Sequence, residues 1–276
     1  MMMKGRTVLL AALLLTIATA AGAQIMQGLR GGGGRFSRPM REGLPEVRSG
    51  FIFCRLWYTS VYREPGGQGW STDYPAADNN FMVRLAQITQ APLSRWHDGE
   101  MGFASVTAED PRMFHCPFLF ASDVGTASFA PEEAANLRTF LLKGGVLWVD
   151  DFWGDYAWEN WTRQISRILP EYSIQELPLD HRLFSIYYRV TEVPQIPSIN
   201  HWRRSGGGTS ERGMESATPH MRAIRDDTGR IMVLMTHNTD IADGWERETE
   251  DEDFFYAFTA RGYGVGINVA LWTLTH

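Results

Sequence analysis

Short uninterrupted apolar runs alternate along the chain with longer segments in which apolar residues recur every three or four positions. The first pattern, when rich in β-branched and aromatic residues, is typical of strands buried on both faces, and the second is typical of amphipathic helices. Strands are predicted at 51–58, 103–107, 116–121, 146–150, 173–177 and 230–236, and helices at 79–90, 129–143, 156–169 and 253–276. This alternation predicts a three-layer α/β fold around a mainly parallel sheet.

The segment from Gly144 to Asp151 contains the clearest strand. Gly144 and Gly145 are placed to end the preceding helix, because glycine tolerates the left-handed backbone found at that position. The strand 146–150 ends at Asp150, and Asp151 follows it directly. Ligands of open parallel sheets bind in the crevice outside the carboxyl ends of the strands. The paired aspartates therefore mark the predicted functional edge.

Polar side chains also follow two other predicted strands, so the same edge should collect them. Crowded carboxylates shift one another's pKa and can supply a general acid beside a general base. The catalytic candidates are Asp123, Asp150, Asp151 and His237, and the ligand-binding candidates on this edge include Asn238, Asp240, Asp243 and Glu246. Each aspartate could instead cap the helix that follows it.

Three tryptophans and one Asp-His pair complete the set of ligand-binding candidates. Trp70, Trp153 and Trp245 stand next to a glycine loop, the aspartate pair and an acidic segment. An exposed indole can stack on the face of a sugar, although packing in the core is the alternative. Asp180 and His181 follow a proline and could either serve a site or hold a turn. A carbohydrate is therefore a candidate ligand.

No motif assigns a metal or a cofactor. The carboxylates could hold a hard cation, since Ca²⁺ and Mg²⁺ take oxygen ligands. Zinc sites use His and Cys at short spacing, whereas the histidines here are scattered, so no residue is assigned as a metal ligand. The glycine loop at 63–70 matches neither nucleotide-binding fingerprint, which leaves the cofactor unknown.

The N-terminal part of the chain has a different composition. A basic start and a short apolar run lead to Ala21-Gly22-Ala23, which predicts a secretory signal peptide over 1–23; an uncleaved anchor is the alternative. Residues 24–50 are rich in glycine and arginine without apolar periodicity and are expected to be a disordered linker. The folded domain is then 51–276, secreted or periplasmic, with partner proteins at the cell envelope.

Charge and hydropathy exclude two classes of partner. The net charge of -6 argues against a nucleic-acid binder, which would present a basic face. Outside the leader, no apolar stretch is long enough to form a transmembrane helix.

Cys54 and Cys116 could form a disulfide in an exported protein. Both fall inside predicted buried strands, where cysteine behaves as a small hydrophobe, so we expect two free thiols.

An ordered set of sequence blocks resembles the DUF4159 family of uncharacterised bacterial domains. The blocks are Arg55–Tyr58, Gly66–Trp70, Asp110-Pro111, Pro117–Phe120, Leu137–Gly145, Asp150–Gly154, Leu177–His181 and Asn238–Glu246. That family is similar in fold to the class I glutamine amidotransferase-like superfamily, which includes trehalose-utilisation-type domains. The resemblance implies a flavodoxin-like sheet and supplies no activity.

The resemblance also shows what is missing. A glutamine amidotransferase needs a nucleophilic cysteine on the turn after a strand, with a histidine partner. Here that turn is Ala121–Gly125 and contains no cysteine, which argues against amidotransferase activity. Ser122 could act as a nucleophile, but it lacks the G-x-S-x-G elbow.

Two functional hypotheses follow from these residues. The first is an exported ligand-binding or scaffolding domain that uses a carboxylate-lined cleft at the C-terminal strand edge. The alternative is a carbohydrate-active hydrolase or lyase with Asp and His as acid and base. The absence of a nucleophile motif favours the first, and the clustered Asp, His and Trp residues favour the second.

We expect the mature chain to begin at or near Gln24, because the small residues before it match a signal-peptidase site. Intact mass spectrometry of exported protein measures the new N-terminus. Exported material that still carries Met1 would contradict the cleavage.

Overall fold

A seven-stranded sheet forms the centre of the fold in a computed structural model, which describes residues 44–45 and 50–276. The predicted signal peptide and nearly all of the predicted linker lie outside the described residues. The strands are β1 (Phe53–Trp57), β2 (Thr59–Ser60), β3 (Phe103–Thr107), β4 (Phe118–Ser122), β5 (Ala127–Ser128), β6 (Val146–Asp150), β7 (Ile174–Glu176), β8 (His220–Arg225) and β9 (Ile231–His237). The main sheet has the order β3-β1-β4-β6-β9-β8-β7, and β2 pairs separately with β5.

Five strands of the main sheet are parallel, as the alternation of strands and helices predicts. β3, β1, β4, β6 and β9 pair in parallel, β8 pairs antiparallel with β9 across a short turn, and β7 pairs antiparallel with β8 at the edge of the sheet. The parallel register pairs Ser122 with Asp150 at the carboxyl ends of β4 and β6. The strand ends that carry the candidate residues therefore share one edge of the sheet.

Helices cover both faces of the sheet and complete three layers. The helices are α1 (Ala76–Ile88), α2 (Pro131–Leu142), α3 (Gly154–Ile168), α4 (Ile199–Ser205), α5 (Ile241–Glu246), α6 (Glu252–Phe254) and α7 (Ala260–Thr275), with a π-helical turn at Phe255–Thr259 between the last two. Helices α2 and α3 pack on one face, and α1, α5 and α7 pack on the other. Along β6, Leu147 and Val149 join the first core while Trp148 joins the second, as strand alternation requires.

The sequence prediction matches most strands of the main sheet and the long helices, and it misses the shorter elements β2, β5, β8, α4 and α5. The strands predicted at 103–107 and 146–150 have the observed bounds, and the one predicted at 116–121 is shifted to Phe118–Ser122. The prediction omitted β8, whose polar and apolar residues alternate and give a weak strand signal. It also described the residues after β9 as an acidic loop, whereas Ile241–Glu246 forms helix α5.

The expectation of two free thiols is wrong, because Cys54 and Cys116 form a disulfide. Cys116 does not belong to β4 but follows the 3₁₀ helix Pro111–His115, two residues before the strand begins. β4 is the direct neighbour of β1, so this position brings the Cα atoms of the two cysteines to 6.1 Å. The bridge closes a segment of 62 residues.

A buried ion pair connects β1 to α1. Arg55 and Asp78 are both fully buried, and the Nε and Nη2 groups of Arg55 donate hydrogen bonds of 3.0–3.2 Å to the Asp78 carboxylate. The Nη1 group donates to the carbonyl oxygen of Thr72 at 3.0 Å. The guanidinium also lies 4.8 Å from the ring centroid of Phe120. One side chain thus holds a strand, a helix and the loop between them.

We expect Asp78→Ala to lower the free energy of unfolding by about 3–5 kcal/mol, because it leaves the Arg55 charge buried and unpaired. Urea denaturation measures the loss. Glu171→Ala is the matched control, since it breaks the Arg138–Glu171 pair on the surface, where solvent screens both charges, and it should cost much less. Equal losses in the two variants would contradict a structural role for the buried pair.

Candidate functional site

Three neighbouring parallel strands end in the same way. The first residue after β4 is Asp123 (φ 53°), after β6 it is Asp151 (φ 55°), and after β9 it is Asn238 (φ 61°). Asp and Asn are the residues that best tolerate this left-handed region after glycine. Backbone hydrogen bonds of 3.0–3.2 Å join the three turns, from Asp123 to Asp150, from Asp151 to Thr239 and from Asn238 to Phe152. The strand ends are therefore linked into a continuous edge.

A cleft of about 410 Å³ opens above this edge. In the sheet, β3 lies on one side of β1 and β4 on the other, so the strand order reverses at β1. The cleft lies beside this topological switch point, which is where open α/β sheets bind ligands. Its carboxylates are Glu64, Asp73, Asp123, Asp151, Glu211, Asp240, Asp243 and Glu246, and its guanidinium groups are those of Arg204, Arg212 and Arg247. Eight acids facing three arginines make the cleft strongly acidic.

The glycine loop after β2 forms one wall and holds a carboxylate. The backbone N–H of Gly69 donates a 2.7 Å hydrogen bond to Oδ2 of Asp123. A Cβ atom on Gly67 would lie 2.3 Å from the same oxygen, so a larger residue would push the loop away. Gly67 therefore lets the loop approach Asp123 closely, and the backbone of Gly69 binds the carboxylate. Asp73, at the end of this wall, also has left-handed backbone (φ 63°).

The excursion between β7 and β8 forms the opposite wall. Its Arg212 donates to Glu64 across the cleft at 3.2 Å, and its Ser198 caps helix α4 by accepting from the N–H of His201. Sequence reasoning missed Glu64, Asp73, Glu211 and Arg212, because none of them follows a predicted strand directly. Of these four residues, only Asp73 has a signal in the sequence, because an Asp in a polar loop favours a left-handed turn.

The acidic segment after β9 is the N-terminal part of helix α5. Oδ1 of Asp240 accepts from the N–H of Asp243 at 2.8 Å and caps the helix. Oδ2 of Asp243 accepts from the N–H of Ile199 at 3.0 Å, which joins α5 to α4. Both residues line the cleft.

Asp150 lies beneath the cleft and is fully buried. Its Oδ2 accepts from the N–H of Ala242 at 3.0 Å, and its Oδ1 accepts from the hydroxyl of Thr236. It therefore caps helix α5 from a neighbouring strand and does not line the cleft. Asp151, one residue later, does line it, and its Oδ1 accepts from the indole N–H of Trp153 at 2.9 Å.

Burial and mutual repulsion favour the protonated forms of the cleft carboxylates. Burial, followed by repulsion from neighbouring carboxylates, raises the pKa of Asp123 and of Asp243 to about 7. The same two causes raise the pKa of Asp73, Asp151 and Asp240 well above the usual range. Oδ2 of Asp73 is buried and has no hydrogen-bond partner among the described residues. The crowded carboxylates of the cleft therefore resist being ionised all at once.

His237 follows the expected strand but packs below the surface. Its Nδ1 accepts from a guanidinium N–H of Arg222 at 3.1 Å, so its Nε2–H donates to the carbonyl oxygen of Gly154 at 3.2 Å. The ring packs against Phe152 and Trp158. Burial lowers the pKa of His237 to about 3, which keeps the imidazole neutral. Both nitrogens are occupied and neither reaches the cleft.

The ligand-binding candidates divide between the cleft and the core. Trp153 lines the cleft, although the residue is buried. Trp245 is fully buried among the aromatic residues of the core, with its ring 5.6 Å from that of Trp148, so the expectation that it stacks on a ligand is wrong. Trp70 stacks on Trp57 at 4.7 Å instead of lining the cleft.

The remaining candidates have structural contacts outside the cleft. The side chain of Asn238 accepts from the N–H of Gly154 and donates to the carbonyl oxygen of Thr218, which holds the turn after β9. The ring of His181 lies 5.0 Å from Trp272 of helix α7, and its Nδ1 accepts from a backbone N–H two residues later. Asp180 is exposed beside it. The structure does not bring these residues to the cleft.

The turn after β4 contains no activated nucleophile. Oγ of Ser122 is buried and hydrogen-bonds to no described group, so no base is placed to take its proton. The residue at the apex of the turn is the carboxylate Asp123.

Comparison with known proteins places the chain in a family. A model described as "Domain of unknown function (DUF4159)" matches residues 53–274. The chain belongs to the DUF4159 family. The match confirms the resemblance of the sequence blocks, and it spans every residue that lines the cleft of this DUF4159 domain. No curated protein matches the chain.

The described part of the DUF4159 domain contains no helix that is both long and apolar enough to span a membrane.

We expect wild-type protein to lose stability relative to Asp123→Asn as the pH rises from about 4 to about 7. The pKa of Asp123 is raised to about 7 in the folded state, from about 3.9 in the unfolded chain, so between these two values the folded state holds a proton that the unfolded chain has released, and the stability it contributes is lost as the pH rises through the window. The difference should change by up to about 1.4 kcal/mol per pH unit. Urea denaturation with EDTA between pH 4.5 and 7.5 measures it. Parallel curves for the two proteins would contradict the shifted pKa.

Proposed function

We propose that this protein is an exported ligand-binding domain, and that its acidic cleft binds a neutral or cationic polar ligand, preferably a carbohydrate. The observation that carries the proposal is the group of eight carboxylates against three arginines in one cleft. Ionised carboxylates only accept hydrogen bonds, so the ligand must supply donors or positive charge. An anionic ligand would be repelled. Sugar hydroxyls provide several donors without adding negative charge.

The shape of the cleft supports a small ligand. A volume of about 410 Å³ falls within the range of about 300–1,000 Å³ that is usual for small-molecule sites. The backbone hydrogen bonds between the three strand ends keep the floor of the cleft in place, which lowers the entropic cost of binding. The two walls come from separate loops, and the Arg212–Glu64 pair joins them.

Two further features support the rest of the proposal. The five parallel strands have the spatial order second, first, third, fourth, fifth, which is the flavodoxin-like order and favours that fold class. The Cys54–Cys116 disulfide favours an oxidising compartment, in agreement with a secreted or periplasmic location. Partner proteins at the cell envelope are part of the same proposal.

A carbohydrate-active hydrolase or lyase is the second candidate function. It is favoured by Asp123, because a carboxyl group with a pKa of about 7 can donate a proton at neutral pH. Asp151 lines the same cleft and could serve as the second carboxylate. His237 is not part of this alternative, since both of its ring nitrogens are occupied.

We expect Asp151→Asn to weaken saccharide binding at least tenfold, about 1.4 kcal/mol, while the melting temperature stays the same or rises. Asn keeps the size of the side chain and tolerates the left-handed backbone, but it cannot ionise and it replaces one acceptor oxygen with an NH₂ donor. A thermal-shift screen of neutral and amino saccharides identifies a ligand, and calorimetry measures its affinity.

Asp180→Asn is the control, because it makes the same change at an exposed residue outside the cleft. Analysis of the saccharide after incubation distinguishes binding from turnover. Equal binding by wild type and Asp151→Asn, or a screen with no ligand, would contradict the proposal.

A further inference from the structure

We propose that Asp73, Asp240 and Asp243 form a binding site for a divalent hard cation, with Ca²⁺ as the ion of best fit. The inference rests on the proposed function, since the ion would belong to the same ligand-binding cleft. It adds a specific site and a specific class of ion to that function.

The three side chains have the geometry of a ligand set. Each offers one carboxylate oxygen, and these oxygens lie within 4.8 Å of one another. All three residues are at most 7% exposed. Ca²⁺ binds oxygen at 2.3–2.6 Å, which allows oxygens on opposite sides of the ion to be up to about 5 Å apart. The spacing of the three oxygens is therefore compatible with a shared Ca²⁺ ion.

Asp73 supplies an observation that is independent of the clustering. Its Oδ2 is buried and has no hydrogen-bond partner among the described residues, although the residue lines the cleft. A buried polar atom without a partner costs about 1–3 kcal/mol, and more when it is charged. Such an atom at the edge of a cleft indicates that a group from outside completes its bonding.

Existing hydrogen bonds orient the other two carboxylates. Oδ1 of Asp240 accepts from the N–H of Asp243, and Oδ2 of Asp243 accepts from the N–H of Ile199. One oxygen of each carboxylate is thus held by the backbone. Oδ1 of Asp243 forms an ion pair with Nε of Arg247 at 3.7 Å, which is too long for a hydrogen bond, so a bound cation would compete with this guanidinium.

The backbone around Asp73 is also held in place. Arg55 donates to the carbonyl oxygen of Thr72, and the carbonyl oxygen of Asp73 accepts from the N–H of Ala77. Asp73 belongs to the wall that follows β1, whereas the other two ligands belong to helix α5. A cation would therefore join one wall of the cleft to the helix that follows β9.

The chemistry of the donors selects the class of ion. Three carboxylate oxygens without histidine or cysteine suit a hard cation and do not suit zinc. Ca²⁺ takes six to eight oxygens, and the open cleft leaves room for water or ligand hydroxyls to complete the shell. Vicinal hydroxyls of a sugar are such ligands, which gives the ion a role in the proposed function.

The test is calorimetric titration of EDTA-treated, full-length protein with CaCl₂ and separately with MgCl₂, in 0.5 M NaCl to suppress diffuse attraction. We expect one Ca²⁺ per chain, a higher melting temperature with Ca²⁺, and weaker binding of Mg²⁺. Asp73→Asn and Asp243→Asn should each weaken Ca²⁺ binding at least tenfold. Asp180→Asn, outside the cleft, should bind as wild type does.

A second readout separates loss of the site from loss of the fold. Without added ion, Asp73→Asn should melt at the same temperature as wild type or higher, because it removes one charge from a crowded cluster. No binding of Ca²⁺ or Mg²⁺ by wild type, or equal Ca²⁺ binding by Asp73→Asn, would overturn the site.

Saccharide titrations with Ca²⁺ and with EDTA distinguish this inference from the proposed function. Ion binding without saccharide binding supports the cation site and contradicts the proposed function. Saccharide binding that proceeds equally in EDTA, together with no ion binding, contradicts the cation site alone. The cation site would also be overturned if the protein binds no ion and instead binds an amino saccharide through Asp73.

Discussion

The buried guanidinium of Arg55 is the interaction on which the organisation of the cleft depends. Among the hydrogen bonds of the described residues, the bond from Arg55 is the one that holds the carbonyl oxygen of Thr72 against β1. The same guanidinium neutralises Asp78 inside the core. Its contact with Phe120 ties β4 to the same point. Because Thr72 immediately precedes Asp73, a charge pair within the core positions a carboxylate at the surface of the cleft. A buried pair of this kind adds little net stability but is costly to break.

The edge above the sheet concentrates backbone strain and negative charge in one place. Among the described residues, four non-glycine residues have positive φ, namely Asp73, Asp123, Asp151 and Asn238. Such conformations cost about 1–3 kcal/mol each and persist where surrounding contacts enforce them. Three of the four are aspartates that line the cleft. The fold thus bears an energetic cost in conformation and in repulsion at this edge, and a bound ligand or ion would reduce the second part.

The architecture was largely predictable because its signals are local. The apolar runs of β3 and β6 identify strands with the observed bounds, and the glycines after α2 mark the end of that helix. The misses have physical causes. β8 is an edge-side antiparallel strand whose polar alternation gives a weak signal. The disulfide depends on β1 and β4 being neighbours, and strand order is a property of the whole chain.

The sequence by itself determined that carboxylates follow parallel strands and so reach one edge of the sheet. Only the tertiary structure decided which of them face the cleft. Asp150 is the last residue of β6 and shares the face of Trp148, so it points under helix α5, whereas the left-handed turn at Asp151 redirects the next side chain. Glu64, Asp73 and Glu211 come from loops far apart in the chain. Their convergence depends on packing between distant segments, which no local pattern of residues encodes.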